Sequence, residues 1–107
     1  MTVNSTCFNE RLAALKSPEF LTALTQIKRG VEREALRIKP NGALSQEPHP
    51  KALGSALTHD TITTDFSESL LEFITPPESS AAKTITQLQD VHKYTIDNIG
   101  DEQIWPL

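Results

Sequence analysis

The sequence predicts an α+β fold, an antiparallel sheet with flanking helices, and three observations carry that expectation. Two segments, from Ile27 to Lys39 and from Thr61 to Thr75, have the composition and interleaved charges of strands and fit no helical stripe. A third, ending at Gly100, repeats Ile85, Leu88, His92, Ile96 and Ile99 at three- to four-residue spacing, the signature of a half-buried helix. Lys39-Pro40-Asn41-Gly42 and Pro76-Pro77 punctuate these segments, and with no repeat and no internal boundary the pattern is one mixed domain.

Taken in order, Phe8, Leu12 and Leu15 predict a short amphipathic helix that ends before Ser17. Ser17, Pro18 and Glu19 then read as an N-cap, a proline at the first helical position and a first-turn acid, opening a second helix that runs to about Thr25. A strand over residues 27–39 turns at Asn41-Gly42 into a short return strand at Ala43 to Ser45, and Gln46 to Gly54, with Pro48 and Pro50, forms a loop. The segment 61–75 is read as one strand, with Glu68, Leu70, Glu72 and Ile74 on one face and Ser67, Ser69, Leu71 and Phe73 on the other. Ser79 or Ser80 caps the last helix and Gly100 ends it.

The bulk numbers narrow the functions available. At 107 residues, the chain is one domain with a modest core. A net charge of -4 leaves no basic footprint for nucleic acid. Cys7 is the single cysteine, which excludes an internal disulfide and suits a reducing compartment. No signal-peptide core and no run of 18 apolar residues occur, so the expectation is a cytoplasmic protein without a membrane partner. The run from Asp101 to Leu107 ends on tryptophan, proline and leucine rather than a polar tail, which reads as a chain cut before its fold is complete.

The stretch RGVEREALR, residues 29–37, sets Glu32 and Glu34 two positions apart. On a helix they would point to nearly opposite sides; on a strand they stand side by side, roughly 7 Å apart, a repulsive pair that water or a cation between them makes tolerable.

Four blocks in order, RGVEREALR, HPKALGSALTH, ITTDFSESLLEFITPP and DVHKYTIDNIGDEQIWPL, resemble the N-terminal part of glutamate–cysteine ligase of the proteobacterial type, also called γ-glutamylcysteine synthetase. The resemblance runs from about Ala23 to the last residue, leaving residues 1–22 as a variable N-terminal helical stretch. It implies that the chain is an incomplete part of a glutamine-synthetase-like catalytic fold, inactive alone and completed by the remainder of its own catalytic domain. It also implies a reaction that uses ATP, L-glutamate and L-cysteine: the glutamate γ-carboxylate is phosphorylated, and the cysteine amine displaces phosphate to give γ-glutamylcysteine, on the way to glutathione.

Phosphoryl transfer to a carboxylate brings anions together, and Mg2+ is the hard cation that neutralises them through oxygen ligands. Glu32 and Glu34 then read as a ligand pair. By the resemblance, Asp65 and Glu72 match the family's further acidic metal ligands, whereas Glu68 has no motif assignment. Arg29, Arg33 and Arg37 fall on the opposite strand face, either as solvated or ion-paired charges or as clamps for ATP or the glutamate α-carboxylate. His49, His59 and His92 lack metal-ligand spacing, with His92 read as a packed histidine, and no GxxxxGK loop is present. A second function class is a small acidic module that holds a divalent cation or a partner without catalysis.

Overall fold

A computed structural model describes residues 5–106; residues 1–4, which belong to the variable N-terminal stretch, and Leu107, the end of the C-terminal run, lie outside the described residues. The elements are α1 (Ser5–Ala14), α2 (Pro18–Thr25), β1 (Glu32–Ile38), a 3-10 turn (Lys51–Leu53), β2 (Ile62–Thr64), β3 (Leu70–Ile74), α3 (Ala81–Asn98) and β4 (Gln103–Ile104). They form a four-stranded antiparallel sheet, in the order β2-β3-β1-β4, with helices beside it. The α+β expectation is met.

One face of the sheet is packed. Ala35 of β1, Ile62 of β2, Leu71 and Phe73 of β3, Leu53 of the 3-10 turn and Ile99 at the end of α3 form the core, with Leu88, Val91 and Ile104 against it. Complete burial of Phe73, Leu71 and Ile62 contributes about 1.5–3 kcal/mol each relative to exposure, so the β3 centre anchors the domain. Helices α1 and α2 bury no residue, and Phe8, Leu12 and Leu15 stay exposed. The radius of gyration, 20.3 Å, exceeds the ~13 Å of a compact chain of this length, in keeping with helices that stand away from the core.

Both later helices start as read. The Ser17 hydroxyl accepts from the Phe20 N–H at 3.2 Å, with Pro18 in the first turn, and the Ser80 hydroxyl accepts from the Lys83 N–H at 3.3 Å. The stripe expected on α3 holds at Leu88, His92 and Ile99, which meet the core, and departs at its other positions. Thr84 and Thr95 are buried, while Ile85 and Ile96 are half exposed. Each threonine hydroxyl donates back to a carbonyl one turn earlier, Ser80 or Val91, which satisfies its polarity and lets the methyl face the sheet.

Three strand expectations also need correction. Residues 61–75 are not one strand but a hairpin, β2 and β3 joined by Asp65 to Ser69. Aspartate and serines favour a turn there: the Leu70 N–H bonds the Ser67 carbonyl at 3.0 Å, and the Ser67 and Ser69 hydroxyls meet at 2.9 Å. Glu68 lies in that turn and not on the strand face with Glu72. The strand expected from Ile27 begins only at Glu32, with Arg29 in an isolated bridge to Glu78, and the return strand shrinks to a bridge between Ile38 and Leu44.

Candidate functional site

Burial along β1 alternates, with Ala35 and Arg37 buried, Arg33 partly so, and Glu32 and Glu34 exposed. Residues 32–38 are extended, so the two glutamates share the sheet face that points away from α3. Antiparallel register completes the row: Glu34 pairs with Glu72 and Glu32 with Ile74, while on the other side Thr63 pairs with Glu72. Asp65, just past β2, bonds the Leu70 carbonyl through its N–H at 3.2 Å, one step further along the same ladder.

Glu72 is the centre of this arrangement. Directly opposed residues have Cβ atoms about 5 Å apart, and diagonal ones about 7–8 Å, so Glu72 faces Glu34 and lies diagonal to Glu32 on one side and Asp65 on the other. Its carboxyl is pushed above the ordinary value of 4.5, first by partial burial and then by the negative charges of Glu32, Asp65 and Glu34. Among the described residues no ion pair relieves this repulsion. The acids in ion pairs among the described residues are Glu102, Glu47, Glu78 and Asp97, and none of the four is among them.

The row is long. Two strand spacings and four residues separate Glu32 from Asp65, about 17 Å, beyond the span of any single ion. Accordingly, no group of three His, Cys, Asp or Glu side chains among the described residues surrounds one point. Hard carboxylate oxygens spaced along such a row fit a hard divalent cation such as Mg2+ one or two to an ion. Beside Glu32 opens a cleft of about 500 Å³, lined by Gly30, Val31, Glu32, Ile74, Thr75 and Pro77.

Gly30 is required at that cleft. A Cβ there would stand 2.7 Å from the Thr75 carbonyl oxygen, because the chain entering β1 is pressed against the chain leaving β3. Val31 and Thr75 fasten the two, with the Val31 N–H donating to the Thr75 hydroxyl at 2.9 Å and the Thr75 N–H to the Val31 carbonyl at 3.0 Å.

The opposite face of β1 holds Arg33 and Arg37, as the alternation implies, in two different states, whereas Arg29 is exposed and lies before the strand. Arg33 Nη1 donates to His92 Nε2 at 2.9 Å, and the His92 ring meets Phe73 edge-on at 4.7 Å. A guanidinium only donates, so this ring is neutral and accepts through Nε2. Burial first, then Arg33, lowers its pKa below 6.5, and His92 is packed as expected. Arg37 is completely buried and paired with Glu102. It is no clamp on the open face. Period two placed its Cα inward; that its partner would be Glu102, 65 residues away, had no signal in the sequence. His59 Nδ1 accepts from the N–H groups of Thr61 and Ile62 at 3.1 and 3.0 Å and thereby fixes the start of β2.

Among the described residues, no helix is long and apolar enough to cross a membrane. A family model described as glutamate-cysteine ligase matches residues 12–107. The glutamate–cysteine ligase of Pseudoalteromonas translucida is 53% identical over 96 residues, 90% of this chain and 18% of that protein. That of Sodalis glossinidius is 58% identical over 85 residues, 79% of this chain and 16% of the relative. The chain thus spans less than a fifth of these curated relatives. Among solved structures, a Francisella tularensis glutamate–cysteine ligase in complex with AMP superposes with a TM-score of 0.70 at 46% identity, covering 74% of this chain and 16% of that one. A bifunctional glutathione synthetase from Pasteurella multocida gives 0.74 at 37%, covering 81% and 12%. With its whole described sheet and its last helix inside the matched region, this chain belongs to the glutamate–cysteine ligase family.

Proposed function

We propose that these 107 residues are the N-terminal part of a longer, cytoplasmic ATP-dependent ligase, residues 23–107 being catalytic-domain sequence, and that Glu32, Glu34, Asp65 and Glu72 hold the Mg2+ ions of its reaction. The observation that carries this reading is the row of four unpaired carboxylates, which register assembles on one open face from β1, β3 and the turn that follows β2. A sheet that gathers like charges without a counter-ion loses stability unless a cation joins them. The family supplies the chemistry that needs such cations, and the AMP held by the Francisella relative supports a nucleotide nearby.

In the proposed reaction an oxygen of the glutamate γ-carboxylate bonds to the γ-phosphorus of ATP, and the bond to the β,γ-bridging oxygen breaks, releasing ADP. The cysteine amine then bonds to the acyl carbon of the γ-glutamyl phosphate, a proton leaves the nitrogen, and phosphate departs. When bound, Mg2+ neutralises phosphate charge during the transfer. The contribution of this segment is positional: β1 and β3 hold Glu32, Glu34 and Glu72 at fixed spacing, the Asp65–Ser69 turn extends the row, and the cleft at Gly30 gives an anion room beside Glu32.

The test is Glu32→Gln in the complete enzyme, read as ADP release with glutamate, cysteine and magnesium. Removing one metal-holding charge is expected to lower turnover by about 10² or more. Glu68→Gln changes an exposed turn side chain and is expected to cost little. Near-normal turnover in Glu32→Gln would refute the metal assignment, and absence of nucleotide-dependent ligation in the wild type would leave the noncatalytic acidic module standing.

A further inference from the structure

The most heavily bonded side chain of the described structure lies outside the row of carboxylates. Arg37 Nη1 donates to Glu102 Oε2, and Nη2 donates to the carbonyls of Glu47, Pro48 and Glu68 at 2.7, 3.2 and 3.0 Å. The other oxygen of Glu102 accepts from the Ser45 hydroxyl, which in turn accepts from the Glu47 N–H at 3.2 Å. The Arg37 side chain is 0% exposed and that of Glu102 8%. The Arg37 backbone adds a second attachment in the same place, its N–H donating to the Ser69 carbonyl at 2.7 Å.

Two of these contacts, to Glu68 and Ser69, grip the turn that begins at Asp65. Within that turn the chain is short and self-bonded, from Asp65 N–H to Leu70 carbonyl and from Leu70 N–H to Ser67 carbonyl, so a displacement at residue 68 is passed to residue 65. Removing an ion pair of this kind from water is expensive, and well-packed apolar residues would hold a core as well or better. What apolar residues cannot supply is a planar fork aimed at one carboxylate and three carbonyls together.

We infer that the buried Arg37–Glu102 pair positions the Asp65–Ser69 turn, so that Arg37 and Glu102 are positioning residues for Asp65 as a magnesium ligand; this rests on the metal reading above. The pair acts from the packed side of the sheet on a group that serves the open side.

The experiment is a Mn2+ titration of the complete enzyme followed by electron paramagnetic resonance, which reports the metal without turnover. Three variants are compared with wild type: Asp65→Asn, the double variant Arg37→Met with Glu102→Met, and the combination of all three. Asp65→Asn is expected to weaken Mn2+ binding at its site about 10–100-fold, and the double variant by a comparable factor. The triple variant is expected to be no weaker than Asp65→Asn, because the pair acts through Asp65 alone. Wild-type Mn2+ affinity in the double variant, or additive losses in the triple, overturns the positioning role while leaving the metal reading intact if Asp65→Asn itself binds weakly. Unchanged affinity in Asp65→Asn overturns both. If the double variant does not accumulate as folded protein, Arg37→Lys takes its place with the same expectations, since lysine keeps the buried charge but its single nitrogen cannot span the carboxylate and the carbonyls together.

Discussion

Replacing Glu72 by glutamine keeps the shape of the side chain and removes the charge at the position that feels the other three carboxylates, so its effect on stability is expected to change sign with magnesium. Without metal, the variant loses a like-charge contact directly across the β1–β3 pair, worth about 0.2–1 kcal/mol, and two weaker diagonal ones. The metal-free variant is therefore expected to be more stable than wild type, by on the order of 1 kcal/mol. The sign is fixed by the direction of the pKa displacement. A carboxyl held above 4.5 in the fold stabilises the protein when protonated, and that contribution is lost as pH rises through the folded value, so the gain in Glu72→Gln is present at neutral pH and vanishes below about 4.5. With magnesium the order reverses. An ion bound only by the native state adds RT ln(1 + [L]/Kd), about 2.7 kcal/mol at one hundred times Kd. If losing a carboxylate weakens binding about 100-fold, the same magnesium concentration adds only about 0.4 kcal/mol to the variant. Thermal melts of both proteins in a chelator and across a magnesium series read the crossing. A variant less stable than wild type in the chelator, or one with an undiminished magnesium response, would show that the four carboxylates do not act as one repulsive, metal-binding row.

Gly30→Ala forces a methyl against the Thr75 carbonyl, where backbone and not a flexible side chain must move, and is expected to cost about 1–3 kcal/mol in unfolding measurements; a neutral effect would show that β1 and β3 are less tightly apposed at the cleft. His92 has its pKa depressed by burial and by Arg33, so the unfolded chain takes up a proton below 6.5 that the folded ring refuses. Stability is therefore expected to fall as pH drops from 6.5 towards the folded value, by at most about 1.4 kcal/mol per pH unit for this group. His92→Gln is expected to flatten the slope without abolishing it, because His49 is lowered in the same direction by burial and by Arg37; a slope unchanged in the variant would remove His92 from the account.

How much of this was legible in the residues differs from element to element. Local rules decided the helix starts, since Ser17 with Pro18 and Ser80 before Ala81 satisfy the orphan N–H groups from within a few residues of each start. Period-two alternation decided the facing within β1, because a strand gives each side chain one of two sides and the glutamates and arginines fall on opposite ones. Composition misled at 61–75, where strand-like ends were read as one strand although Asp65, Ser67 and Ser69 in between form the turn of a hairpin. It failed again on α3, where threonines with satisfied hydroxyls took the sheet side from isoleucines. Strand register was beyond the sequence, and with it the opposition of Glu34 to Glu72, because pairing is set by how two distant segments share a core and not by either one alone. The same limit hid the partner of Arg37. A sequence can state that an arginine points inward, but only the closed chain brings Glu102 and the carbonyls of residues 47, 48 and 68 to it, since desolvating that charge is tolerable only once all of them are in place.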